Sequence, residues 1–454
     1  MKVLLINPPI REWSKPNIVP LGLGYIASVL RNCGHEVEVL DINGYRWPGN
    51  EVEEKIKNAD FDIAGIGAIV TVYKKVKWLI SLLKKYHPSK FIMVGGSVGT
   101  SIPGIILSKT QADIVCIGEG EETAVDIVKA IEDAKDLSEV DGIWFKDKDS
   151  NIHRNRPRKT IDKLDSIPFP AWDLFPMDIY LKNPVGAANR NKWEDGSANN
   201  EQLLTMNLVG TRGCPYKCIY CYHDFMGHMY RHRCAENIVS EITILHEKYG
   251  VESIHFMDDE FCMEKEFVFD FCARLKKKFN GKIPWGCSGR VNLMTEGLLT
   301  AMKDAGCVLV GYGIESGSQK ILDVMKKAVK VQQAKKSILL TKKIIGRAEC
   351  SFVIGSPHET IETIRETVDF CKELELRPEV VFFMTAYPGT ELYRIALEQG
   401  KIKDEEEYIL GLGEQGEKIR INFTDIPDDK LYKVQAEMIA ELGALNKLKH
   451  PEAR

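Results

Sequence analysis

The sequence predicts an α/β protein. Its parts are a doubly wound, Rossmann-like sheet domain over residues 1–140, a connection over 141–200, a partial (β/α)6 barrel over 201–395 and a helical cap over 396–454. Three observations predict this. Short apolar runs recur along the chain, stretches of helical periodicity lie between them, and loops rich in glycine and acidic residues follow the runs. Strands that alternate with helices build parallel sheets, because a parallel partner can be reached only by a crossover. At 454 residues the chain has material for two or three cores.

Val3-Leu4-Leu5-Ile6-Asn7 is the first buried strand; a proline-bearing loop and a helix from Leu21 to Arg31 follow, closing at Gly34. Strand signals return at 36–40, 63–69, 91–94 and 114–117, with helices at 52–58, 72–86, 104–108 and 122–133. Ligands of such sheets bind at the carboxyl ends of the strands. Those ends carry Asn7-Pro8-Pro9, Gly67-Ala68-Ile69-Val70-Thr71, Gly95-Gly96-Ser97 and Gly118-Glu119-Gly120-Glu121-Glu122. Glycine there lets the backbone approach a large flat or phosphate-bearing cofactor, although strand-to-helix turns also use glycine for conformation alone. No G-x-G-x-x-G follows the first strand, which counts against a dinucleotide.

Residues 140–200 read as a connection, with a short strand at Gly142-Ile143-Trp144-Phe145, a proline-stiffened stretch from Ile167 to Asp173 and a polar run from Lys182 to Asn200. Alternation then resumes, with strands at 203–209, 253–257, 285–288, 308–314, 348–354 and 380–384. In a barrel the active groups sit at the strand C-termini. Here those positions hold a cysteine loop, Asp258-Asp259-Glu260, Ser288-Gly289-Arg290, Glu315-Ser316-Gly317, Gly355-Ser356-Pro357 and Tyr387-Pro388-Gly389-Thr390. Asp259 is also placed to cap the helix that contains residues 264–275. The tail has an acidic run, Asp404-Glu405-Glu406-Glu407, and a last helix over 428–448 that reads mostly as a solvated packing helix.

The cysteine loop runs Gly213-Cys214-Pro215-Tyr216-Lys217-Cys218-Ile219-Tyr220-Cys221. A C-x-x-x-C-x-x-C triad holds a four-iron cluster with one iron open to a substrate or cofactor, whereas electron-carrying clusters use four thiolates. The alternative is zinc, with His223 or Cys234 as fourth donor, but such sites usually pair C-x-x-C with a second pair that is missing here. Cys234, Cys262, Cys272, Cys287, Cys307, Cys350 and Cys371 have no grouped spacing, so no second cluster is expected. The net charge of -4 offers no wide basic surface for nucleic acid. No apolar run approaches membrane-spanning length, the opening MKVLLINPPI is too soon interrupted for a signal peptide, and the scattered thiols suit a reducing compartment. A soluble, cytoplasmic protein is expected.

Taken together, Asn7-Pro8-Pro9, Leu21-Gly22-Leu23-Gly24-Tyr25, Gly95-Gly96 and Gly118-Glu119-Gly120-Glu121-Glu122-Thr123 resemble the cobalamin-binding domain that precedes the catalytic domain in one branch of the radical S-adenosylmethionine (SAM) enzymes. Residues 203 to about 395, with the triad after the first strand and Gly311-Tyr312-Gly313-Ile314-Glu315-Ser316 at the fourth, are similar to the radical SAM barrel. The resemblance implies a 4Fe-4S cluster on Cys214, Cys218 and Cys221. It implies SAM held by Tyr220 on adenine and by Glu315 and Ser316 along the adenosyl moiety; by their chemistry Arg290 and Ser288 suit the methionyl carboxylate, and Asp258 or Asp259 the methionyl amino group or the substrate. Cobalamin is expected beside Pro9, Thr71, Tyr73, Gly95, Gly96, Glu119 and Gly120, without a histidine ligand, since no Asp-x-His-x-x-Gly occurs. The implied reaction is cobalamin-dependent C-methylation of a small-molecule or lipid substrate, driven by an external electron donor such as flavodoxin or ferredoxin. Radical cyclisation, oxidation or C–C bond formation on a tetrapyrrole or isoprenoid is the alternative. A corrinoid or Fe-S carrier without turnover is the reading from another class, and the Tyr220, Arg290 and Glu315 positions oppose it.

Overall fold

Apolar runs buried on both faces become parallel strands in both halves of the chain. The computed structural model describes residues 1–12, 14–183, 203–222, 225–378, 381–412, 416 and 418–443. His223, Val380 and most of the polar run 182–200 lie outside the described residues. The described residues fall into two units, one within Met1–Asn183, Tyr222–Gly227 and Ile402–Glu414, the other within Pro184–Cys221, His228–Lys401 and Gln415–Arg454.

The first unit holds strands β1 (Lys2–Asn7), β2 (Glu36–Asp41), β3 (Ile63–Gly67), β4 (Phe91–Gly95), β5 (Ile114–Cys116), β6 (Ile143–Lys146) and β7 (Ile152–Arg154) in the order β2-β1-β3-β4-β5-β6-β7. The first five pair in parallel. Val3, Leu4, Leu5 and Ile6 are at most 2% exposed, as a strand covered on both faces requires. The strand order reverses between β1 and β3, which opens a crevice at their carboxyl ends.

β6 and β7 arise in the stretch expected as a connection and extend the sheet, β6 antiparallel to β5 and β7 antiparallel to β6. β6, expected from Ile143-Trp144-Phe145, buries Ile143 and Phe145, whereas β7 is exposed throughout and no apolar run announces it. The helix Met177–Lys182 also belongs here: its Tyr180 hydroxyl donates to the buried Asp41 carboxylate at 2.8 Å. A tail helix, Glu405–Leu410, returns to this unit, where Glu406 accepts from the Tyr73 hydroxyl at 3.1 Å and from Lys77 at 2.7 Å.

The second unit holds β8 (Thr205–Leu208), the short antiparallel pair β9 (Thr211–Arg212) and β10 (Arg231–His232), then β11 (Ser253–Phe256), β12 (Trp285–Ser288), β13 (Cys307–Glu315), β14 (Ala348–Ile354) and β15 (Val381–Phe383). β8 and β11–β15 form one six-stranded parallel sheet in chain order, curled into a half-barrel. Phe256 of β11 and Trp285 of β12 pack on Phe261 and on Phe271 of the helix Lys265–Phe279 in tilted and edge-to-face contact, with the Trp285 indole N–H donating to the Ala305 carbonyl. The helix Lys265–Phe279 starts at Glu264 without a side-chain cap, so Asp259 does not cap it.

β13 ends irregularly. Its register against β14 shifts between Gly313 and Glu315, and Glu315 has a left-handed φ of 67°. Two residues on, Gly317 packs so closely on the helix Ile361–Glu373 that a Cβ would lie 2.6 Å from the Phe370 side chain and 2.8 Å from the Thr367 backbone. Gly317→Ala is therefore expected to destabilise the protein by about 1–3 kcal/mol, read as a lower urea midpoint with unchanged m-value.

Candidate functional site

The cysteine loop opens at Gly213, whose φ of 82° suits glycine, and Ile219 pins its far end by accepting from Leu392 N at 2.8 Å and donating to Met325 O at 3.1 Å. Cys218 is buried, Cys214 half-buried and Cys221 exposed. Burial raises the Cys214 thiol above its ordinary range. The protein atoms around Cys221, together with Asp259, Cys218 and Cys214, push its thiol up to about 12. Both raised thiols, Cys214 and Cys221, are protonated in the metal-free protein, and loading them with iron must release protons. Among the described residues no three His, Cys, Asp or Glu side chains converge on a single-ion site. A cuboidal cluster asks for no such convergence, since each thiolate takes a different iron, so the donor set fits one.

Two buried cations sit beside the loop. The Arg290 guanidinium lies 3.5 Å from the Tyr216 ring centroid and 3.9 Å from the Cys218 sulfur, and also donates to the Lys327 carbonyl. The Lys327 ammonium pairs with Glu315 at 2.9 Å and donates to the Tyr220 hydroxyl at 3.1 Å, while that hydroxyl donates to the same carboxylate oxygen at 3.1 Å. Gly313 makes room for this group, since a Cβ there would sit 2.5 Å from the Glu315 oxygen. Lys327 was missed in the sequence reading: it lies beyond the helix Gln319–Val324 among other lysines, and only the fold brings it back.

Asp258 follows β11 and is buried; its Oδ1 accepts from the Gly210 and Thr211 backbones, and its Oδ2 has no hydrogen-bond partner among the described residues. Burial raises its carboxyl to about 7, as it does for Glu260 and Glu359. An orphaned, buried carboxylate oxygen fits an ammonium donor such as that of the methionyl moiety. Ser288 is exposed at the end of β12, and Ser316 is turned away to Thr367 at 3.1 Å. An apolar cavity of about 220 Å³, lined by Tyr220, Val353, Phe382, Met384, Tyr387 and Gly416, offers room for a flat ring. His232 packs on Phe267 and faces Glu264.

In the first unit the expected cobalamin residues all follow strands. Pro9 is buried after β1, Gly95 ends β4, Gly96 has a φ of 79°, and Gly120 precedes the helix Glu121–Glu132. A Cβ on Gly96 would meet Ala68 O at 2.5 Å. Thr71 keeps a buried hydroxyl without a hydrogen-bond partner among the described residues, and nearby Ile69 is 39% exposed. An orphaned hydroxyl beside an uncovered apolar side chain and glycine turns fits a large planar cofactor. Two other expected contacts are engaged by the protein itself: Glu119 accepts from Ile161 N at 2.8 Å, and Tyr73 is fully buried on Glu406.

Residues 208–371 match the family profile described as the radical SAM superfamily, and residues 11–128 match the B12 binding domain. An uncharacterized methyltransferase of Pyrococcus horikoshii is 32% identical over 405 residues, covering 87% of this chain and 83% of that protein. An anaerobic magnesium-protoporphyrin IX monomethyl ester cyclase of Rubrivivax gelatinosus is 26% identical over 418 residues, covering 90% and 72%. The radical SAM methyltransferase TsrM of Kitasatospora setae, solved with cobalamin and a 4Fe-4S cluster, matches in fold with a TM-score of 0.72 at 18% identity, covering 88% of this chain and 78% of that one.

Replacing Lys327 by Met strands the buried Glu315 carboxylate, so a loss of roughly 3–5 kcal/mol is expected, and adding Glu315→Gln should recover part of it in a double-mutant cycle. The raised carboxyls set a pH dependence. In the unfolded chain Asp258 and Glu359 titrate near 4, in the folded protein near 7, so the folded state holds the extra protons in between. Stability of the metal-free protein is then greatest below about pH 4 for these groups and is lost as pH rises through about 7. Urea unfolding at about pH 5 and about pH 8 should show this fall, and Asp258→Asn should reduce it.

Proposed function

Because the chain belongs to the radical SAM superfamily, in the branch that carries a B12-binding domain before the barrel, we propose that it methylates an unactivated carbon of a small-molecule or lipid substrate. It is an enzyme, and its cofactors are a 4Fe-4S cluster, SAM and cobalamin. When bound, the cluster and SAM supply a 5'-deoxyadenosyl radical and the corrinoid supplies a methyl group. The observation that carries the reading is the triad at the first strand end of a half-barrel, flanked by the Tyr220–Glu315–Lys327 group.

The residues divide the work by chemistry. Cys214, Cys218 and Cys221 bind three irons as thiolates. Glu315, paired with Lys327, would accept from ribose hydroxyls, and the Tyr220 ring borders the apolar cavity where adenine would stack. The free Asp258 oxygen accepts from the methionyl ammonium, and Arg290 and Ser288 donate to its carboxylate. Apolar walls such as Val353, Phe382 and Met384 exclude water from a reactive radical. Thr71, Gly95 and Gly96 receive the corrinoid, with Pro9, Tyr73, Glu119 and Gly120 shaping their turns. An external one-electron donor such as flavodoxin or ferredoxin completes the system in the cytoplasm. No helix among the described residues is long and apolar enough to cross a membrane.

Ring closure on a tetrapyrrole is the second reading, and the cyclase relative supports it. Anaerobic reconstitution with iron and sulfide, then dithionite and SAM, should release 5'-deoxyadenosine, and Cys218→Ala should abolish both the cluster absorbance and this product. No 5'-deoxyadenosine from the reconstituted wild type would sink the radical reading. A spectral change on adding hydroxocobalamin is expected; without one, methyl transfer falls.

A further inference from the structure

We infer that Tyr216, inside the cysteine run, is a positioning residue that clamps Arg290 against the Cys218 thiolate and so makes the cluster easier to reduce. The inference rests on the assignment of the cluster to the three cysteines. Arg290 is 9% exposed; its guanidinium meets the Tyr216 ring face at 3.5 Å, the Cys218 sulfur at 3.9 Å and the Lys327 carbonyl, and its charge also acts on the buried Glu260 carboxyl. Its Nε is buried without a hydrogen-bond partner among the described residues. A guanidinium keeps its charge at any working pH and lies flat on an aromatic ring, so the ring fixes both its depth and its plane. The ring is itself held at the far end, where Asn292 Nδ2 donates to the Tyr216 hydroxyl at 3.0 Å. Asn292 and Arg290 both follow β12, so the loop after that strand grips the cysteine loop at two points.

The consequence is electrostatic. A one-electron reduction adds negative charge to the cluster and its thiolates, and a fixed positive charge at one of those sulfurs, away from bulk water, favours the reduced form. Hydrogen bonds and charges at the ligand sulfurs are among the levers by which a protein sets a cluster potential. Tyr216 acts through Arg290; it need not touch SAM or substrate.

The test is a dithionite redox titration of the reconstituted cluster, followed by electron paramagnetic resonance with no SAM and no cobalamin present. Arg290→Met is expected to lower the reduced-to-oxidised ratio at a fixed potential about tenfold, which is 59 mV for a one-electron couple. Tyr216→Leu should shift it in the same direction, while Tyr216→Phe, which keeps the ring, should stay near wild type. Arg290→Lys, which keeps a charge, is read alongside in case Arg290→Met fails to fold, and should fall between. Iron and sulfide content is measured for each variant. Unchanged potentials in Tyr216→Leu and Arg290→Met at full cluster loading would overturn the inference, as would a shift in Tyr216→Leu that persists with Arg290 already replaced. SAM is absent, so a role for Arg290 on the methionyl carboxylate does not enter the result. Failure of the wild type to assemble any cluster would instead remove the cluster reading itself.

Discussion

Parallel strand pairing is the constraint on which the rest depends. A parallel partner is reached only by crossing back over the sheet, so within each unit every parallel strand ends at the same edge. β1–β5 bring their loops to one edge of the first unit, and β8 with β11–β15 do the same in the second. Those edges inherit an electrostatic problem, because charged residues placed there are largely buried. The structure answers with matched sets: Lys327 with Glu315 and Tyr220, Arg290 with Tyr216 and Cys218, and Glu359 with the Gly355 and Ser356 backbone N–H groups. Breaking one member of such a set costs more than the contact itself, since its partner is left charged and dry.

Buried cysteines show the complementary case. Cys262, Cys272, Cys287, Cys307 and Cys350 lie inside the second unit, where burial raises the Cys272, Cys307 and Cys350 thiols and a Cys262 contact with burial raises Cys287. The four raised thiols stay protonated, and all five side chains pack as small apolar groups. The triad differs by sitting at the strand ends, with two of its sulfurs reached by solvent.

Strands were legible because apolar residues gather in short runs, unbroken in β1 and alternating with glutamate in β2: β1, β2, β4, β11, β12 and β14 begin or end within a residue or so of those runs. The cysteine spacing was legible because cluster chemistry dictates it. What escaped is what only packing creates. β7 is a short, exposed strand; Lys327 stands among other lysines; nothing local marks Tyr216 between the first two cysteines; and the left-handed φ of Glu315 leaves no trace in composition. Tyr73 was expected at a cofactor, yet its hydroxyl is spent on Glu406, more than three hundred residues later. Side chains at strand ends can face the crevice or the protein, and nothing local decides between them.

The return of the segment Ile402–Glu414 to the first unit means that a folded unit and a contiguous stretch of gene are different objects here. The cofactor-receiving sheet is encoded mostly at the beginning of the chain but finished by a helix encoded after the barrel. Recombination that exchanged the N-terminal region as a cassette would carry Tyr73 and Lys77 away from Glu406, leaving a buried hydroxyl to find another acceptor. An exchange that kept the first unit intact would have to carry the helix Glu405–Leu410 along with the N-terminal region.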